Sequence, residues 1–380
     1  MSDWQRAAFA LLLSAFLLAP GGCGEPREPS AQDVAARAAA WLWSQQADDG
    51  GWHSDTYGLL RSGQSLTPFV LDALLAVPDE VAPRPDGAAE RAVAFLRRVT
   101  NDDGAVGLAD SVADYPCYAT ALAVRALEQH DPAAHAETIA RMRRWLLGQQ
   151  LADSNGWGPV DPAYGAWGMG GEPRTPPDAG HIDLSMTRYA LEALAPLDDK
   201  VASVRAARRA ARHFLERVRV RGDDPATTRG FFFTTVLPDK NKAGPLESGG
   251  FAPYGTTNAD GILALLAAGL APTDPKLRGA LRPLVAGHRL DRTPGPKPLV
   301  ESDWAASTTY YYRAASAAVF ARLGVRQAPA GRDWRADLVA VLAAEQRADG
   351  AFANEASRMK EDDPLISTVL ALRALGHALK

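Results

Sequence analysis

A chain of 380 residues with 47% hydrophobic and 23% charged side chains can bury a large core, which excludes a disordered polymer and a polytopic membrane protein. Its formal net charge is only −4, and cations such as Arg205, Arg208, Arg209 and Arg212 sit among alanines at helical spacing. They predict one solvated helix face; nucleic-acid recognition needs clustered positive charge with interleaved aromatics, so no nucleic-acid partner is expected.

The chain opens on an apolar run, Ala7 to Ala19, behind Arg6. That run is shorter than the roughly 20 residues a helix needs to span a bilayer, but it suits the core of a signal peptide. It ends in Leu18-Ala19-Pro20-Gly21-Gly22-Cys23, where small residues ahead of a cysteine resemble a bacterial lipobox. The resemblance implies that Cys23 is lipidated, becomes the mature N-terminus and holds an exported protein at the cell envelope; an ordinary cleaved signal or a short anchor is the other reading. Residues 1–23 are thus read as leader, 24–30 as linker and 31–380 as one folded unit. With Cys23 lipidated only Cys117 remains, so no intramolecular disulfide can form.

Beyond the linker, two kinds of segment alternate. Ala/Leu/Arg-rich amphipathic stretches are predicted as outer helices over Ala31–Gln46, Gly87–Thr100, Ala133–Gln150, Lys200–Val218, Asp274–His288 and Asp333–Gln346. More apolar stretches are predicted as inner helices over Leu66–Val77, Tyr115–Gln129, Ser185–Ala195, Ala259–Leu270, Thr308–Leu323 and Leu365–Leu379. Ser65, Asp183 and Pro364 stand where a helix start would want them. The outer segments lead into a recurring turn, clearest in Gln46-Ala47-Asp48-Asp49-Gly50-Gly51-Trp52. Weaker copies follow at Asn101–Val106, at Gln150 with Gly156-Trp157, at Gly230-Phe231, at Gly249-Gly250-Phe251 and at Gln346–Phe352. An Asp-Gly pair makes a tight turn, its aromatic ring packs beside it, and a Gln amide can satisfy a neighbouring helix end. The motif is therefore expected to be structural. Six such pairs predict an all-α, α/α toroid (an α6/α6 barrel).

The Q-x-x-x-G-x-W turns resemble the QW motifs of squalene-hopene cyclase and its relatives, and similar turns occur in protein prenyltransferase β subunits. Ile182–Leu191, Tyr254–Gly261, Thr309–Tyr312 and Asp362–Thr368 further resemble exported bacterial proteins with prenyltransferase/squalene-oxidase repeats. The resemblance covers about Ala31 to the C-terminus and implies the toroid. It carries little chemistry with it. The acidic D-x-D-D motif by which class II cyclases protonate an alkene is matched here by Thr257-Asn258-Ala259-Asp260, in which the proton-donating position is Ala259. Prenyltransferase zinc is held by Asp, Cys and His; Asp114, Cys117 and His181 are of those types but fall in other repeats, so neither a metal nor another cofactor is expected.

Site candidates lie at the inner-helix starts, which should converge on one mouth and bring partial positive dipoles with them. Asp114, Tyr115, Tyr254, Asp303, Trp304 and Tyr310 are ligand-contact candidates. His181 with Asp183 forms a possible general-base pair, and Asp260 is the surviving acid. The long Gly158–Gly180 connection, rich in proline and aromatic residues, is read as a rim loop or a self-packed one. Two classes of function follow. The first is an envelope-attached protein that holds a lipid, isoprenoid or polymer in its cavity. The second is a divergent enzyme, either an isoprenoid cyclase or transferase, or a carbohydrate-active enzyme acting on a polysaccharide through inward carboxylates.

Overall fold

The computed structural model describes residues 29–222, 228–296 and 303–380, so the leader, Cys23 and most of the linker lie outside the described residues. Among the described residues six outer helices, α1 (Ala31–Ser44), α3 (Ala88–Val99), α5 (Ala136–Gly148), α7 (Ala202–Arg217), α9 (Pro275–Ala286) and α11 (Trp334–Glu345), alternate with six inner ones. The inner helices are α2 (Leu66–Leu75), α4 (Pro116–His130), α6 (Leu184–Leu194), α8 (Gly255–Ala267), α10 (Thr309–Arg322) and α12 (Pro364–Ala378). Each inner helix packs on the next, and α12 packs back on α1 and α2, which closes the ring. The fold is the expected α/α toroid, with one short antiparallel hairpin, β1 (Arg219–Arg221) and β2 (Thr228–Phe231), added between α7 and α8. Among the described residues no helix is long and apolar enough to cross a membrane.

Local chemistry starts these helices. Ser30 and Asp33 form a reciprocal capping box at α1, Asp183 accepts from the Met186 N–H at 2.8 Å, and Pro364 occupies the first turn of α12 behind the Asp363 cap. Ser65 departs from expectation: its hydroxyl donates to Asp114 at 2.6 Å instead of capping α2. α8 begins at Gly255, four residues before the predicted Ala259, because the Thr257 hydroxyl accepts from the Tyr254 N–H and stabilises an earlier start. The solvated face predicted for α7 holds for Arg205, Arg209 and Arg212, but Arg208 is buried and donates to the carbonyls that end α6, Leu194 and Ala195.

The turns behave as staples. Gln46 Nε2 donates to Gly50 in its own turn and to Ala88 in α3, both at 2.9 Å. Gln346 bridges Gly350 and Val34 of α1 at 3.0 Å, so the same device joins the last outer helix to the first. The Trp52 indole donates to Leu42 at 2.7 Å, and its backbone N–H donates to Thr67 of α2 at 3.1 Å. In the third unit this role belongs to Trp167, not to the expected Trp157. The Trp167 indole donates to Leu146 at 2.7 Å and its N–H to Thr187 of α6 at 3.1 Å. The Leu151 N–H donates to the Ala166 carbonyl and the Gly165 N–H to that of Leu151, as Ala47 donates to Gly51 and Gly50 to Ala47 in the first turn, which makes residues 152–164 an insertion inside the turn. Gly165 has φ +89°, and a Cβ there would lie 1.9 Å from the Ala210 carbonyl, as one on Gly50 would lie 2.3 Å from that of Arg91. In the fourth unit Gly230-Phe231 does the same work, with Phe231 N–H on Asn258 at 2.9 Å. Gly249-Gly250-Phe251, expected as another copy, is a separate turn whose ring packs on Phe232.

Candidate functional site

The N-terminal ends of the inner helices surround a cavity of about 400 Å³. Its wall is largely apolar and aromatic, with Phe69, Tyr118, Met169, Met186, Phe233 and Trp304 among its residues. Tyr189, Tyr311 and Leu370 also line a second cavity at the helices' C-terminal ends, so they form a floor between the two. Met169 arrives from the 158–180 connection, where the Cys117 N–H donates to its carbonyl at 2.9 Å. That connection both packs on itself, through Trp157 Nε1 to the Arg174 carbonyl at 2.8 Å, and edges the cavity.

Of the expected residues, Tyr115, His181, Asp183, Tyr254, Asp260 and Trp304 line this cavity. Asp114, Asp303 and Tyr310 do not. Asp114 is buried and accepts from Ser62 and Ser65, tying α2 to the turn before α4. Asp303 is turned to solvent, capping the Ala306 N–H and pairing with Arg292. Tyr310 turns outward to Glu345, and its neighbour Tyr311 enters the cavity instead, since successive helical residues point about 100° apart. Tyr115 holds a left-handed backbone, φ 45°, a conformation that costs on the order of 1–3 kcal/mol, while its hydroxyl accepts from Lys360 at 3.1 Å.

The polar groups fall into three sets. His181 Nε2 lies 3.2 Å from Asp183, which joins the expected pair; Asp183 also accepts from Ser185, itself bonded to Tyr118, so its oxygens are shared between capping and this chain. On the floor, both Asp260 oxygens accept from the Tyr311 hydroxyl, at 3.0 and 3.1 Å, and Oδ1 accepts from Arg188 at 2.8 Å. Loss of water outweighs these partners and pushes Asp260 up to about 6. Glu361 is pushed up to about 7 by burial, although it accepts from the Tyr310 and Tyr311 N–H groups and from Asn354, serving as the cap that α10 lacks in its own sequence. At the rim, Lys242 Nζ lies 4.3 Å from the Phe233 ring centre and 5.0 Å from that of Trp304, with the Tyr254 hydroxyl at 3.5 Å. Burial pulls it down to about 8. Burial also raises the Cys117 thiol, and among the described residues no three His, Cys, Asp or Glu side chains are grouped to hold a metal.

These shifts set a pH dependence. Asp260 and Glu361 keep protons in the folded chain at pH values where unfolded carboxyls, with values near 4, have lost them. Their contribution is full below about pH 4 and is lost as pH rises through about 6 to 7. Glu192 has the opposite sign: burial alone would raise it, but Arg188, Arg125 and Arg322 hold it at about 2, so its contribution fades only as pH falls below about 4 towards 2. His288 and His377, which burial holds at about 4 and about 3, act in the opposite sense over the same range, so the effect is read by difference: the urea midpoint of Glu361→Gln should gain on that of the wild type as pH rises from 5 to 7.5. A Glu361→Gln midpoint that keeps a constant offset from the wild type between pH 5 and 7.5 would contradict the assignment.

Arg188, Lys242, Tyr118, Tyr189, Tyr311 and Glu361 are the site residues that sequence reasoning did not single out. Arg188 and Tyr189 lay inside a motif already noted, and only their helical phase could have marked them as inward.

No family model matches the chain, and no curated protein matches it. Solved structures do. The type II terpene cyclase MstE from Scytonema, in a substituted form bound to geranylgeranyl dihydroxybenzoate as substrate, is similar with a TM-score of 0.56 at 14% identity, over 92% of this chain and 97% of that one. A protein from Actinoplanes is similar with a TM-score of 0.52 at 14% identity, over 92% of this chain and 100% of its own. A substituted UGL with the saccharide dGlcA-Glc-Rha-Glc is similar with a TM-score of 0.50 at 14% identity, over 91% and 95% of the two chains. At these identities the likeness is one of fold.

Proposed function

We propose that this chain holds an isoprenoid or similar lipid chain in its central cavity, with the ligand's polar end at the Lys242 rim, and does so at the cell envelope through a lipidated Cys23. The observation that carries the reading is the wall itself, apolar and aromatic, in which the lining cation Lys242 is packed among rings and, among the described residues, pairs with no carboxylate. Apolar burial of a chain in such a wall supplies affinity at about 25 cal/mol per Å². The substrate of the Scytonema cyclase, which carries a geranylgeranyl chain, is consistent with that ligand class.

A second reading rests on Asp260. A buried carboxyl with a raised value is the group a cyclase would use to protonate an alkene. Binding without turnover is favoured because Arg188 and Tyr311 both donate to Asp260, and at about 6 it is mostly ionised at neutral pH. The saccharide reading is weaker still: of the other acids lining the cavity, Asp183 is occupied by the α6 start and His181, and Glu361 by the α10 start.

The test is equilibrium dialysis of the purified chain against labelled geranylgeraniol, together with native mass spectrometry of protein from its own host. Saturable binding is expected, weakened at least about tenfold by Trp304→Ala, a loss matching about 1.4 kcal/mol of buried ring surface. An empty cavity and no saturable binding would sink the proposal. Cyclised product from geranylgeranyl dihydroxybenzoate, lost in Asp260→Asn, would establish the second reading instead.

A further inference from the structure

The second cavity, about 360 Å³ at the C-terminal ends of the inner helices, has a different chemistry from the first. Small residues of α2, α10 and α12, such as Ala73, Ala318 and Gly376, leave it open, and guanidinium groups fill its wall. Arg125 of α4 pairs with Asp72 and Glu192, Arg188 of α6 with Glu192 and Asp260, Arg322 of α10 with Glu192, and Arg373 of α12 with Asp72. Arg335 of α11 joins the lining, lies 4.5 Å from the Trp334 ring centre, and has no carboxylate partner among the described residues. Four guanidinium groups thus share three carboxylates and a fifth has none, leaving aside Lys380.

That excess is not used on helix-end carbonyls. Elsewhere in the ring arginines do cap such ends, as Arg143 does at Ala193 and Arg212 at Ala268. Among the described residues Arg125, Arg322 and Arg335 donate side-chain hydrogen bonds to no backbone carbonyl; Arg373 reaches the mid-helix Phe69 carbonyl at 3.3 Å while its buried Nε has no hydrogen-bond partner, and Arg188 Nε faces Glu192 at 3.4 Å. His377, in the same lining, is pushed down to about 3, first by burial and then by the positive charge of Lys380, Arg322 and Arg188, with Glu192 opposing. Desolvated guanidinium groups with unused donors are best completed by an oxyanion that accepts several hydrogen bonds at once.

We propose that this C-terminal mouth is an anion site for a phosphate group, held chiefly by Arg322, Arg335 and Arg373 and separate from the apolar central cavity. Arg322 and Arg335 supply charge from the rim, and Arg373 supplies the donor deeper in the wall. The phosphate belongs either to a small phosphorylated solute or to a lipid headgroup, since both present the same oxyanion.

Calorimetric titration of the full chain with inorganic phosphate at low ionic strength tests it. One saturable site is expected, weakened by added chloride and weakened about tenfold or more in Arg335→Gln and in Arg322→Gln, the loss of one charge-assisted bond being about 1.5–3 kcal/mol. Arg335 is half-exposed and bonded to no carboxylate, so its variant keeps the fold. Trp304→Ala, at the other mouth, should bind phosphate normally. Flotation with vesicles made with and without phosphatidate separates the sources: arginine-dependent capture by phosphatidate names a headgroup, and phosphate binding with no capture names a solute. No saturable phosphate binding, or binding unchanged in both arginine variants, would overturn the site.

Discussion

Trp167→Ala is expected to lower the unfolding free energy by about 3–5 kcal/mol, the range for deleting a fully buried large aromatic side chain. Trp167 is 0% exposed, so the change leaves a cavity between α5 and α6 and removes the indole bond to Leu146. The Leu146 carbonyl, near the end of α5, then keeps the longer bond from the Gln149 N–H at 3.2 Å and loses the shorter indole bond. Trp157→Ala offers the contrast. That ring is also buried, but among residues of the inserted connection, with its indole on Arg174. Its loss should open that segment locally, seen as faster proteolysis within 158–180, with a smaller shift of the global midpoint. Equal shifts of the global midpoint in the two variants would contradict the assignment of Trp167 as the staple.

Arg188→Met should cost a similar amount, about 3–5 kcal/mol, for a different reason. The guanidinium keeps its charge in a fully enclosed position because Glu192 and Asp260 lie beside it, and its removal leaves those carboxylates behind. Glu192 retains Arg125 and Arg322, whereas Asp260 retains, among the described residues, only the Tyr311 hydroxyl. Asp260 would then take up a proton more readily, so the loss should be smaller at pH 5 than at pH 7.5. Adding Asp260→Asn to Arg188→Met should recover part of the stability, and a double-mutant cycle reads the coupling directly. Simple additivity of the two changes would show that the pair does not interact. Because Arg188 stands against the floor between the cavities, lipid binding measured at a temperature where the variant remains folded would also report whether that floor shapes the central cavity.

The staple turns show why the sequence could locate a fold and still misplace some of its parts. Gln46, Gly50 and Trp52 occur in one short run, so the pattern is local and readable. In the third unit the Gln150 amide is fifteen residues from the Gly165 carbonyl it bonds, and the nearer Gly156-Trp157 fits the spacing better than the true partner does. Spacing alone cannot distinguish an insertion inside a turn from the turn itself; the contact with the next outer helix can.

The site divides in a comparable way. Residues at helix starts were legible because caps and breakers mark those positions, and Asp183, Tyr254 and Asp260 do reach the cavity. Tyr310 and Tyr311 were not separable, since one step along a helix turns a side chain by about 100° and neither neighbour's identity shows which one faces inward. Glu361 was hidden for another reason: it caps α10 from a loop fifty residues further along the chain. The buried ionic network of Asp72, Arg125, Arg188, Glu192 and Asp260 joins four inner helices, and only its Arg188–Glu192 pair, four residues apart on α6, has a signature within one of them.

Amphipathic periodicity, turn glycines and their repetition determined, from sequence alone, that the chain forms paired helices and closes them into a toroid, because those signals act within one turn or one helix. Which side chains the closed ring turns inward, which carboxylates lose their water and which mouth gathers uncompensated guanidinium groups were decided only by tertiary structure. Burial and charge pairing depend on distances between residues that are far apart along the chain, and helical phase becomes an inward or outward direction only when the ring has closed.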